Sequence, residues 1–100
     1  MTKSAALTVE NTVALQVMQA LLGLLSKDMR AISFEIIETD ILLYFLHETR
    51  KNVNQEDIED IKFELDVLTD GKYLIKSVHS DVEDIQSWPG FGKRLVFRRQ

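Results

Sequence analysis

One hundred residues, 45% of them hydrophobic and 28% charged, form a chain of ordinary globular composition, long enough for one core and too short for two. The formal net charge of −4 argues against nucleic acid as a general partner, because phosphate binding draws on clustered Lys and Arg. The absence of cysteine excludes disulfides and thiolate metal sites, and the opening Met1-Thr2-Lys3-Ser4 lacks the features of a secretory signal, which makes cytoplasm the expected compartment.

Residues 1–8 read as a lead-in, with Thr8 the expected N-cap of a helix over 9–27 that ends near Lys27. Val9, Val13, Val17, Leu21, Leu24 and Leu25 recur at helical spacing; Leu15, Met18 and Leu22 widen that stripe until little more than Gln16 and Gln19 is left for water. Glu10, Asn11, Gln16 and Gln19 interrupt it too often for a membrane span. The pattern predicts a core helix covered on most sides, or one that packs partly on a second subunit. Gly23 within it predicts a close approach by the sheet.

The period changes to two at residue 30. Ile32, Phe34 and Ile36 alternate with Ser33 and Glu35, which predicts a half-buried strand over 30–38. Glu38-Thr39-Asp40 suits a tight turn, and the run Ile41 to Leu46 predicts its hairpin partner over 41–48. That second strand is apolar on both faces and is expected at the centre of the sheet, with helices on one side and the other side covered or used.

Asn54 or Asn52 is placed to cap a helix over 54–70, with Glu56 and Asp57 in its first turn, a buried stripe of Ile58, Ile61, Leu65 and Leu68, and Gly71 just past its end. Strands follow over 72–79 and 93–98, joined by the turn-rich Ser87-Trp88-Pro89-Gly90-Phe91-Gly92. The expected fold is α+β, in the order helix-strand-strand-helix-strand-strand. A four-stranded, mainly antiparallel sheet carries both helices on one face, in a single domain over 1–100.

No catalytic or metal constellation emerges from these residues. His47 and His79 fall at strand ends without the short spacing of a zinc site. No serine or threonine sits in a nucleophile elbow, and Gly90-Phe91-Gly92 precedes a strand where a phosphate loop precedes a helix. A carboxylate pair acting on a sugar would need a cleft that drives its two pKa values apart. The expectation is a protein without enzymatic activity, bound metal or cofactor.

The charge is uneven. From Glu56 to Asp84 ten acids meet three bases, a net of −7, while the rest of the chain carries +3. A concentrated negative field steers a basic partner, which marks Glu56, Asp57, Glu59, Asp60, Asp81, Glu83 and Asp84 as candidate partner-binding residues. Trp88 joins them as a candidate anchor. Tyr44, Tyr73 and Phe91 are open to the same role, or, with Trp88, to filling the core.

At Ala20-Leu21-Leu22-Gly23, then Ser26 and Met29-Arg30-Ala31-Ile32-Ser33, and on through the acidic Glu56-Asp57-Ile58-Glu59-Asp60 to the closing Val96-Phe97-Arg98-Arg99, the chain resembles small bacterial immunity proteins encoded beside polymorphic toxins. These include the immunity proteins of contact-dependent growth inhibition systems. The resemblance implies a non-enzymatic inhibitor that binds and blocks one cognate toxin domain, often a basic nuclease acting on RNA or DNA. It implies no direct nucleic-acid or membrane binding, and a monomer or 1:1 heterodimer with the toxin. The alternative is a homo-oligomeric structural or adaptor protein, with the two-faced strand Ile41 to Leu46 covered by a second copy.

Overall fold

The computed structural model describes residues 3–49, 51 and 53–99. Asn52, the other candidate cap, lies outside the described residues. The chain runs α1 (Lys3–Leu21), β1 (Met29–Ile37), β2 (Asp40–His47), α2 (Gln55–Leu68), β3 (Leu74–Ser80), a 3₁₀ turn at Ile85–Ser87, and β4 (Arg94–Arg98). The strands form one sheet in the order β3-β2-β1-β4. β1 pairs antiparallel with β2 and β4, whereas β2 pairs parallel with β3. A parallel neighbour needs a long crossover, and α2 supplies it.

The two-residue turn Glu38-Thr39 closes the hairpin between paired Ile37 and Asp40, with Glu38 at φ +55°. Alternation then sorts the side chains. Ile32 and Phe34 of β1 and Ile41, Leu43 and Phe45 of β2 point to one face, where they bury Val13, Val17 and Leu21 of α1 and Ile58, Ile61 and Leu65 of α2. Both helices therefore lie on one side. Gln16, expected to face water, is half-buried and donates to the Leu68 carbonyl at 2.9 Å, satisfying an orphan acceptor at the end of α2.

The opposite face is covered by the chain itself. Residues 81–93 cross it from one edge strand to the other, placing Trp88 on Ala31, Tyr44 and Leu46, with Val82 and Ile85 beside it. The Ser33 hydroxyl, wholly buried, donates to the Gly90 carbonyl at 2.8 Å and ties this segment down.

α1 departs from its expected bounds at both ends. Thr8 is inside the helix, its carbonyl accepting the Thr12 hydroxyl at 3.0 Å, so it is not the N-cap. The helix stops at Leu21 because Gly23 takes the left-handed conformation, φ +78°, and the Leu24 amide bonds back to the Leu21 carbonyl. Lys27 falls in the turn beyond. A Cβ on Gly23 would meet nothing within 4 Å, so the glycine answers a need for positive φ; the sheet makes no close approach there. α1 is also less covered than its composition implies, because a helix packed on one sheet and one neighbour buries only one flank. Val13, Ala14, Val17, Ala20 and Leu21 fill that flank, while Leu15 (68% exposed), Met18 and Leu22 (76%) stand in solvent.

Candidate functional site

α2 starts where Asn54 accepts the Glu56 and Asp57 amides at 3.0 and 3.3 Å. Glu56 and Asp57 lie in the first turn, where the helix dipole favours negative charge. Its buried stripe is Ile58, Ile61 and Leu65, with Leu68 half-buried, which leaves the opposite flank to solvent. That flank is acidic. The helix carries six acids and one base, a net of −5, and Lys62 pairs with Glu59 at 3.5 Å. Glu56, Asp57, Asp60, Glu64 and Asp66 have no cationic partner among the described residues.

Phe63 (65% exposed) and Val67 sit among these carboxylates. Phe63 lies about 140° around the helix from Ile58 by the 3.6-residue turn, clear of the buried stripe. It follows Glu59 and Asp60 by four and three residues and precedes Asp66 and Val67 by three and four, the spacings that put side chains together on a helix surface. Phe63, Asp60 and Glu64 also line a groove of about 350 Å³ whose other wall is the end of α1, with Leu22 and Leu24.

The second acidic group sits elsewhere. Asp81, Glu83 and Asp84 leave the end of β3 on the face opposite the helices, so the sheet divides the charged residues that the sequence groups together. Arg30, at a bulge in β1, donates to the Val82 and Glu83 carbonyls at 2.9 and 3.2 Å and pairs with Glu48 at 3.6 Å. Asp84 accepts the Gln86 amide at 2.9 Å as cap of the 3₁₀ turn. A cleft holds Glu83 and Asp84 together with Arg30, Arg98 and Arg99, which compensates their charge. α2 is thus the stronger negative surface.

Trp88 is 3% exposed and fills the second core, with its indole Nε1 lacking a hydrogen-bond partner among the described residues. Tyr44 is buried beside it, Tyr73 half-buried and Phe91 exposed. Burial, then the 2.5 Å hydrogen bond to Glu35 and that carboxylate's charge, push the Tyr44 phenol up to about 12. The aromatic that α2 does present, Phe63, is absent from the sequence-based candidates; the signal that marks it is that it is the one aromatic of the helix and stands off the stripe of Ile58, Ile61 and Leu65.

A further cleft, about 600 Å³ between the start of α1 and the β1 end, includes Glu35, Lys93, Glu10 and Arg94. Four of its charges are already paired, Lys93 to Glu35 at 3.4 Å and Arg94 to Glu10 at 3.6 Å, and Glu38 lines it as well.

Residues 10–100 match the MafI2 immunity protein family. The chain belongs to that family. No curated protein matches it. The matched span takes in most of α1, all four strands, α2 and the crossing segment 81–93, so the acidic flank and the groove beside it both lie within the family's fold. Toxin-neutralising immunity is the function that membership supports. No helix among the described residues is long and apolar enough to cross a membrane.

Proposed function

We propose that this single domain acts in the cytoplasm as the immunity partner of one basic toxin domain, a nuclease, covering the toxin's active site with the solvent flank of α2 and performing no chemistry of its own. One observation carries the reading: a helix with six acids whose outer flank holds a single internal ion pair. Carboxylates so placed can occupy the positions of substrate phosphates and pair with the enzyme's Arg and Lys. Mixing the purified chain with the toxin domain encoded beside it tests this. The expected outcome is a 1:1 complex, loss of nuclease turnover, and association that slows as salt rises from about 0.05 to 0.5 M. Undiminished turnover at saturating immunity protein would refute it.

A second reading, a homo-oligomer, is favoured by the uncharged stripe of Leu15, Met18 and Leu22 along α1. Mass in solution separates the two. A dimer dissociated by Leu15→Gln would support the oligomer, and a monomer at all accessible concentrations would remove it.

A further inference from the structure

We infer that the groove between the end of α1 and the middle of α2 is the anchor pocket of the toxin contact, and that it takes an apolar side chain flanked by Lys or Arg on one toxin segment. This deepens the immunity reading and rests on it. The groove is open and mixes apolar with polar lining: Leu22 is 76% and Phe63 65% exposed, with Leu24 between core and solvent, and Gln19, Asp60 and Glu64 complete the walls. Apolar surface rimmed by polar groups is the usual composition of a protein-binding site, and a desolvated aromatic at the centre of a contact is the usual energetic hot spot.

The rim identifies the occupant. Asp60 and Glu64 line the same groove, neither has a cation among the described residues, and Glu59 and Asp66 flank Phe63 on its own helix. A two-fold contact with a second copy would bring Asp60 and Glu64 against their own equivalents, a like-charge juxtaposition. A cationic segment gains on every one of these groups. Lys62 is the only base on the helix, and it turns to Glu59.

The test measures affinity and kinetics of the full chain against the adjacent toxin domain for Phe63→Ala, Leu22→Gln, Asp60→Asn and Glu64→Gln, with urea unfolding of each. Because both apolar residues stand in solvent, their unfolding midpoints should stay close to wild type. Phe63→Ala is expected to weaken binding about 30-fold or more, chiefly through faster dissociation. Asp60→Asn and Glu64→Gln should slow association and flatten its salt dependence, and the Phe63→Ala/Asp60→Asn pair should be non-additive. Wild-type binding with Phe63→Ala and Leu22→Gln both within about twofold would overturn the pocket and leave the immunity reading standing on another face. Absence of wild-type binding would overturn both. A wild-type dimer that Leu22→Gln dissociates would give the groove to a second copy and overturn the toxin segment.

Discussion

His47 Nε2 lies 2.9 Å from His79 Nδ1, joining the ends of the parallel pair β2 and β3. The two imidazoles stack with Phe45 at centroid separations of 5.0 to 5.9 Å, and His79 continues to the Ser77 hydroxyl at 3.0 Å. Lys76 of β3 meets Asp40 at the start of β2 at 3.1 Å, and this stack helps hold β3 at the other end, from which the chain leaves for α2. His79→Ala should remove the contact and the stacked ring beside wholly buried His47, costing about 1–3 kcal/mol. A denaturant midpoint equal to wild type would mean the pair is incidental to stability.

Tyr44 makes the stability of the sheet sensitive to alkali. Its phenol is held protonated to about 12, against 10.0 for an unperturbed tyrosine, the value that stands for the unfolded chain. Above pH 10 the unfolded chain releases this proton while the folded one keeps it, so its contribution is whole below pH 10 and is lost as pH rises through about 12. Glu35→Gln removes a carboxylate that favours the neutral phenol and should lower the Tyr44 midpoint, read from phenolate absorbance. An unchanged titration would leave burial as the sole cause.

Gly90 is required by close approach. A Cβ there would stand 2.5 Å from Ser33 Oγ and from Trp88 Cζ2, and the ring is wedged between the crossing segment and the sheet. Gly90→Ala should therefore cost about 1–3 kcal/mol by overpacking and shift tryptophan emission as the indole is displaced. Wild-type stability with unaltered emission would show that the segment can move aside without loss.

Features with a short sequence period were legible, and those set by distant pairing were not. The alternation of Ile32, Phe34 and Ile36 and the spacing of Ile58, Ile61 and Leu65 each report one buried face, and both lie where they point. β2 showed that its second face needed a cover, and its central place in the sheet follows. Nothing periodic in residues 81–93 marks them as that cover, so Trp88 stays open to both anchor and filler until the fold places it inside. The histidine contact depends on the parallel register of β2 and β3, which pairs residues 34 apart, so it leaves no local trace. At the candidate site the acids of α2 and of the loop look continuous along the chain, and only the intervening sheet separates them.

Glu38 holds a left-handed backbone at the tip of the β1–β2 hairpin, φ +55°, where two-residue turns favour Gly or Asn. A Cβ in that conformation costs about 1–2 kcal/mol, partly offset for glycine by the greater freedom of its unfolded chain. Glu38→Gly is expected to raise stability by about 0.5–1 kcal/mol, visible as a higher urea midpoint at unchanged slope. A lower midpoint would mean that the Glu38 side chain contributes more at the mouth of the adjoining cleft than its backbone strain removes.

The division of acids between two faces leads to a contrast in binding. Glu83 and Asp84 share a cleft with Arg30, Arg98 and Arg99, and Asp84 is engaged as a cap, so the field above them is partly cancelled. The α2 acids have Lys62 alone among them. Neutralising Glu59, Asp60 and Glu64 together should slow association with a basic toxin by about tenfold or more at low salt and reduce its salt dependence, whereas neutralising Asp81, Glu83 and Asp84 should change the rate by less than about threefold. Glu56 and Asp57 are best kept out of the comparison, because at the helix start they also contribute about 0.3–1 kcal/mol of stability through the dipole. Asp84→Asn needs its unfolding measured for the same reason, since it caps the 3₁₀ turn. A larger effect from the loop set, with both variants folded, would move the contact to the face crossed by residues 81–93 and leave α2 as a solvated helix.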